Sequence, residues 1–344
     1  MPGKQEQELA SEEITEVAPG VLRMQLPIQF TGLGHVNCYA LEDDRGFAVV
    51  DPGLPGAQSW DGLLDRLGRA HIPLARIHTV VITHSHPDHF GGAARLHEET
   101  GADILTHESF KLWFEEAVNA FDDTPSDALD RPEDWSRPTP WGGEFRPPND
   151  DAMSDMRAEM RSNLHTPRPT RRVVDGEIVL LAGREWVSLH TPGHTPDHLC
   201  LFDPEHGVVL AGDHVLPTIT PHIGGFGGMA EDPLAEFFAS LERMTALPGV
   251  TVALPAHGHP FHDLPKRVTE IEEHHIERLG RLRTASEELD RLAPVHELME
   301  HLFSPRAWGS MAESETYAHL EHLRLLGDAE SEWVDGLLCY KVKG

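Results

Sequence analysis

The sequence predicts an α/β protein in which short strands alternate with helices, followed by a smaller helical region. Three observations predict it. Four apolar runs, Val80-Val81-Ile82, Trp186-Val187-Ser188-Leu189-His190, Gly207-Val208-Val209-Leu210 and Val250–Leu254, have the length and composition of buried strands. Each is followed by a loop that carries histidine or aspartate. Residues 58–70 place Trp60, Leu63, Leu64 and Leu67 at helical spacing, a face suited to packing on a sheet. At Pro265 the strand–turn rhythm gives way to long polar helical patterns.

Taken in order, residues 1–20 form an acidic, polar lead that is expected to be flexible, either disordered or loosely attached. Val21 to Asp51 reads as three strands, with turns at Gly32–Gly34 and Asp43–Gly46. The helix at 58–70 follows, then a strand ending at Thr83, a helix from about Phe90 to Thr100 and a short strand at 103–106. Residues 110–172 break the pattern. They hold Trp113, Phe114, Phe121, Trp135, Trp141 and Phe145 among many prolines and aspartates, then Met153, Met156, Met160 and Leu164 on one helical stripe. Long insertions of this kind act as lids, and methionine and aromatic side chains give adaptable apolar surfaces. Trp113, Met156 and Met160 are therefore the expected lining of a substrate pocket; ordinary core or a dimer surface is the competing reading. Strand–turn alternation returns over 174–263, with one helix near Pro233–Leu247. Helices are expected over 266–291, 294–303 and 312–326, and a hairpin over Trp333–Val342 that turns at Asp335-Gly336.

Residues 83–92, Thr-His-Ser-His-Pro-Asp-His-Phe-Gly-Gly, carry the chemistry. His84, His86, Asp88 and His89 fall within six positions, a nitrogen and oxygen donor set that suits zinc. Alternate residues point in different directions, so one tetrahedral ion does not readily use all four, whereas two ions do. Solvated loop histidines are the bland alternative in a chain with 24 histidines. The strand-end setting opposes it, as does its repetition at Thr191-Pro192-Gly193-His194, Gly212-Asp213-His214 and His257-Gly258-His259.

With His-x-His-x-Asp-His, Thr-Pro-Gly-His, Gly-Asp and His-Gly-His in this order, the chain resembles the metallo-β-lactamase fold superfamily of hydrolases over about residues 21–263. The resemblance implies an αββα sandwich with two metals at one edge. It implies that His84, His86 and His194 hold the first metal, that Asp88, His89 and His257 hold the second, and that Asp213 bridges them. It further implies that Asp51 supports the site from behind. His86 departs from the flavo-diiron branch, where a carboxylate is expected. Asp213 stands where a true β-lactamase often has cysteine, and Cys200 reads as a buried strand residue. Three helices and a hairpin after Pro265 resemble the winged-helix-like tail of one branch, which is thioesterase- or hydroxyacylglutathione-hydrolase-like. The expected organisation is a lead at 1–20, a catalytic domain at 21–265 with the insertion at 110–172, and a tail at 266–344.

The expected reaction is attack of a metal-bridging hydroxide on the carbonyl of a small ester or thioester, with Asp88 accepting a hydrogen bond from the water. Two divalent ions are implied: zinc first, with manganese or iron as alternatives. His198, His214, His222 and His259 are candidates for supporting the ligands or donating a proton. Lactonases of this fold often use a tyrosine near the bridging aspartate. Tyr39, Tyr317 and Tyr340 are far from Asp213 in sequence, which disfavours that chemistry. A formal charge of −29, and ten basic against sixteen acidic residues over 266–344, oppose binding to nucleic acid and to anionic membranes. Single-strand endoribonuclease is nevertheless the enzyme-level alternative, because the tail-bearing branch contains such enzymes; a non-catalytic binding protein is the third reading. A small-molecule substrate is expected, and a homodimer is left open. Three widely spaced cysteines, and no apolar run long enough to span a membrane, give a cytoplasmic expectation.

Overall fold

The computed structural model describes residues 3–30, 32–112, 138–143, 165–225 and 229–344. They group into two compact units. Unit 1 holds the described residues of Met1–Phe110, Asp150–Pro221 and Leu241–Val268, and unit 2 those of Lys111–Asn149, His222–Ser240 and Thr269–Gly344.

Unit 1 is built from two sheets. Among the described residues the first has seven strands in chain order: β1 (Thr15–Ala18), β2 (Val21–Phe30), β3 (Leu33–Asp43), β4 (Gly46–Val50), β5 (Ile77–Val81), β6 (Asp103–His107) and β7 (Arg171–Val173). β1 to β4 pair antiparallel through short turns, and β4 to β7 pair parallel. Parallel neighbours need long crossovers. Helix α1 (Ala57–Arg69) provides the one between β4 and β5; the short α2 (Pro87–Phe90) and then α3 (Ala93–Thr100) provide the next. The second sheet has five strands: β8 (Ile178–Leu181), β9 (Arg184–His190), β10 (Leu199–Asp203), β11 (Val208–Gly212) and β12 (Val252–Pro255), in the order β12-β11-β10-β9-β8. Helix α4 (Pro233–Thr245) lies in the crossover between the parallel pair β11 and β12.

The sheets meet through their apolar faces. Val21, Tyr39, Leu41, Val50, Val81 and Leu105 of the first share a core with Val179, Trp186, Leu201, Leu210 and Leu254 of the second. Trp186 is fully buried, and its indole N–H is satisfied by the Leu181 carbonyl at 3.0 Å. This is the sandwich that the resemblance implied.

Two expectations are corrected. The lead is built into the fold in its described part. Glu6 is buried and accepts the backbone N–H of Thr218 at 2.7 Å and of Ile219 at 3.1 Å, and Thr15–Ala18 is the edge strand β1. The helix expected from Phe90 to Thr100 is two helices, broken at Gly91-Gly92. A Cβ on Gly91 would stand 2.0 Å from backbone atoms of Leu54 and Pro55, and the Gly91 N–H reaches the Gly53 carbonyl at 2.7 Å. Backbone lies on backbone there, and the helical path yields to that contact.

Helix α5 (Leu264–Leu289) begins in unit 1 and ends in unit 2. Unit 2 adds α6 (Val295–Leu302), α7 (Ser310–Leu325) and a small sheet of β13 (Ala293–Pro294), β14 (Ala329–Val334) and β15 (Leu337–Val342), in the order β13-β15-β14. The expected hairpin is present. Asp335 and Gly336 take positive φ of 50° and 81°, as a two-residue hairpin loop requires. Trp141, from the aromatic-rich segment, is buried in this unit; its N–H bonds Glu313 at 3.0 Å and its ring centroid lies 5.2 Å from that of Tyr317. Trp113, Met156 and Met160 lie outside the described residues. Among the described residues no helix is long and apolar enough to cross a membrane.

The contact at Gly91 can be tested. Gly91→Ala is expected to cost about 1–3 kcal/mol through overpacking. Gly68→Ala, on an exposed position of α1 with open space around it, is expected to be neutral or stabilising by up to about 1 kcal/mol. Thermal unfolding of both variants beside the parent protein checks the opposite signs.

Candidate metal centre

Four strand ends in unit 1 deliver the polar residues. After β5 the chain runs through Thr83 to His84 and His86, and Pro87 then opens α2, its ring already holding the φ a helix needs. Asp88 and His89 follow in that turn. His194 sits in the loop between β9 and β10, Asp213 directly after β11, and His257 just after β12.

Two groups of side chains result: His84, His86, His194 and Asp213 in one, Asp88, His89 and His257 in the other. Within each group one ligand atom per residue lies within 4.8 Å of all the others. His86 Nδ1 is 3.0 Å from His84 Nε2 and 3.1 Å from His194 Nε2. Asp213 stands between the groups. Its Oδ2 lies 3.5 Å from His194 Nε2 and 3.6 Å from His89 Nε2, and its Oδ1 lies 3.3 Å from His257 Nε2. Asp88 Oδ2 is 3.5 Å from both His89 Nε2 and His257 Nε2.

The far sides of the His89 and His257 rings are also held. Asp51 Oδ2 accepts from His89 Nδ1 at 2.9 Å and from the Thr83 hydroxyl at 2.8 Å, while its Oδ1 accepts the Thr83 N–H at 2.9 Å. His257 Nδ1 donates to the His35 carbonyl at 2.6 Å. With Nδ1 protonated, the Nε2 lone pairs of His89 and His257 are turned inward. Those two nitrogens are buried without a hydrogen-bond partner among the described residues. Buried polar atoms left open in this way, converging with carboxylates, fit divalent metal ions held by nitrogen and oxygen donors.

Electrostatics divides the histidines: burial opposes charge on His89 and His257, but the facing carboxylates outweigh it and raise both, whereas His84 and His86 are lowered. Burial, then the neighbouring histidines, hold His84 far below the ordinary imidazole range; burial, then His194, hold His86 at about 3. Both rings are therefore neutral, as ligation needs. Burial alone would raise the Asp88 carboxyl, but the facing His89 and His257 bring it to about 2. Asp213 is likewise held well below the carboxylate range, burial being outweighed by His257 and His89.

The other flagged histidines are placed as follows. His198 accepts the Asp213 N–H on Nε2 at 3.0 Å and shares its Nδ1 with the Thr191 hydroxyl at 2.8 Å, so it fixes the backbone that carries Asp213. A Cβ on Gly212 would fall 2.6 Å from that ring, which explains the glycine. His214 is fully buried, its ring centroid 5.9 Å from that of His198. His259 is turned to Glu8 at 2.8 Å and to Arg23 at 3.1 Å. His222 belongs to unit 2, where its Nδ1 lies 3.4 Å from Glu315 Oε2.

Sequence reasoning missed His35, Thr83, Asn37 and Asp197. His35 bonds the Glu8 carbonyl and the Gly258 N–H besides His257, and Asn37 donates to the carbonyls of Pro255 and Gly258. No spacing signal links residue 35 to residue 257. Asp197 accepts from the Ser85 hydroxyl at 3.1 Å, and burial pushes its carboxyl up to about 6.

The chain is similar to known proteins in sequence and in fold. The model of the family described as the Metallo-beta-lactamase superfamily matches residues 31–257. An atrochrysone carboxyl ACP thioesterase of Aspergillus fumigatus is 23% identical over 74% of this chain and 61% of its own length. A probable metallo-hydrolase of Bacillus subtilis is 22% identical over 93% of this chain and 97% of its own. A crystal structure of a beta-lactamase domain protein from Burkholderia ambifaria superposes with a TM-score of 0.78 at 27% identity, covering 97% of this chain and 96% of that one. The chain spans only 36%, 61% and 40% of the length of three fungal relatives that it matches.

Two substitutions test the supporting contacts. Asp51→Asn is expected to weaken metal binding about 10- to 100-fold, read by competition with a chromophoric chelator. For Asp197 the sign follows from a folded pKa above the unfolded value. The protonated acid stabilises the fold below about pH 4, and that contribution is lost as pH rises through about 6. Asp197→Asn, neutral throughout, should match the parent at pH 4 and exceed it by up to about 3 kcal/mol at pH 8. Unfolding of chelator-treated protein across that range is the measurement.

Proposed function

Because the chain belongs to the metallo-β-lactamase superfamily of metallo-hydrolases, we propose that it cleaves a small acyl thioester with two divalent ions held by its two ligand groups. The observation that carries this reading is Asp213, whose two oxygens face ligands of both groups. His84, His86 and His194 would hold one ion, Asp88, His89 and His257 the other, and Asp213 would be shared. Zinc suits this donor set, with manganese or iron as alternatives. When bound, such ions acidify water toward neutrality and polarise a carbonyl oxygen.

The chain's own residues do the rest. Asp88, buried and anionic, accepts a hydrogen bond from the attacking water and orients it. Asp51 and the His35 carbonyl keep His89 and His257 in one tautomer, so their lone pairs stay directed inward. His198 holds the Asp213 backbone in register with the β5 loop. His198 and His214 are fully buried, and His222 and His259 lie beside Glu315 and Glu8. A thiol ionises near pH 8.5 and leaves as thiolate without prior protonation. A leaving group that needs no prior protonation suits this centre better than an alkoxide, which favours a thioester over an alkyl ester. Relatives named thioesterases support the same class.

The expected outcome is release of free thiol from short acyl thioesters, abolished by a chelator and restored by zinc. Asp88→Asn should lower kcat about 10²- to 10⁴-fold. Labelled single-stranded RNA, the substrate of the alternative endonuclease, should remain intact. Cleavage of the RNA without thioester turnover would reverse the assignment.

A further inference from the structure

Unit 2 holds a second concentration of histidines that takes no part in the centre described above. Helix α5 carries His275 and Arg278, and helix α7 carries Glu315 and His319. The latter two are spaced i, i+4 and so share one helix face. His275 and His319 are fully buried and Glu315 is 7% exposed. His275 Nδ1 and His319 Nε2 face each other at 3.0 Å. One ligand atom from each of His275, Glu315 and His319 lies within 4.8 Å of the other two.

This is the geometry that marks the hydrolytic centre. The separation of the ring nitrogens matches the 3.0 and 3.1 Å between His86 and its two neighbours. It is also close to the edge of about 3.3 Å expected of a tetrahedron with metal–nitrogen bonds of about 2.0–2.1 Å. The surrounding contacts are of the kind that orient ligands. His319 gives its Nδ1–H to the Glu315 carbonyl at 2.7 Å, which leaves the Nε2 lone pair directed at His275. Arg278 holds Glu315 Oε1, and His222 Nδ1 lies 3.4 Å from Oε2. The carboxylate is thus fixed beside the two rings. A carboxylate beside two apposed imidazoles, all dehydrated, is costly to build for packing alone.

We propose that His275, Glu315 and His319 form a zinc site in unit 2 that ties helix α5 to helix α7 and is separate from the hydrolytic centre. Two imidazoles and one carboxylate supply three ligands, and the fourth position falls to water or to His222. The role is structural, since the ion would pin two helices whose facing residues are otherwise polar and buried.

The test is zinc content per full-length chain, by mass spectrometry after zinc loading and desalting. His275→Gln/His319→Gln is expected to bind one zinc fewer than the parent protein while keeping thioester turnover within a few-fold. Equal zinc content in the folded variant and the parent would overturn the proposal and leave a plain imidazole–imidazole hydrogen bond beside an Arg278–Glu315 ion pair. A second variant guards against misfolding of the first. His84→Ala/His89→Ala/His194→Ala/His257→Ala dismantles the hydrolytic centre and leaves unit 2 intact. It should retain one zinc, raise its Tm on zinc addition, and show the absorption of tetrahedral cobalt when loaded with cobalt(II). No retained ion and no shift in Tm would refute the site whatever the fate of the first variant.

Discussion

The carboxylate of Asp51 ties the end of one strand to the loop that leaves its parallel neighbour. It sits just past β4 with a positive φ of 51°, a backbone geometry uncommon outside glycine. There it accepts the N–H and hydroxyl of Thr83, which follows β5, and the Nδ1–H of His89 in α2. One buried side chain thereby fixes the loop that bears four of the seven candidate ligands. It also selects the tautomer that turns a histidine lone pair inward. The Gly91 contact serves the same loop from the opposite side, since backbone packed on the Gly53–Pro55 segment leaves the ligand turn little room to shift.

The same logic recurs at the other strand ends. His198 grips the backbone of Asp213, and the glycine before Asp213 exists because that ring approaches so closely. His35 grips the His257 turn through its carbonyl and its ring, and is itself held by the Glu8 carbonyl. His89, Asp213 and His257 are therefore each oriented by a partner from another segment of the chain. That mutual dependence keeps the centre from being a property of any one motif. It also gives the N-terminal lead a purpose, because Glu8 and Gln5 buttress the turn after β12.

Much of the fold was legible along the chain because its signals are local. The turns near Gly32, at Asp43–Gly46 and at Asp335-Gly336 fall between paired strands, and Gly32, Gly46, Asp335 and Gly336 take the positive φ that glycine and aspartate tolerate better than most residues. The face of Trp60, Leu63 and Leu67 is buried, as helical spacing required. The break at Gly91-Gly92 was not legible, because it arises from a contact with residues 53–55 that no spacing announces. The lead at residues 3–18 was misread for the same reason: its acidic composition suggests solvent, yet Glu6 is buried against the Thr218 and Ile219 amides.

By itself the sequence determined which residue types could bind metal and that they follow strands, because the His-x-His-x-Asp-His run is contiguous and strand periodicity is a local property. Their division into two groups around Asp213 was implied by the family resemblance and not by spacing; what supports them was left to the tertiary structure. It alone enlisted His35, Thr83, Asn37 and Asp197 as supports, sent His222 to Glu315, and paired His275 with His319. Such choices rest on distances between residues far apart in the chain, and those distances exist only once both sheets and both units have formed.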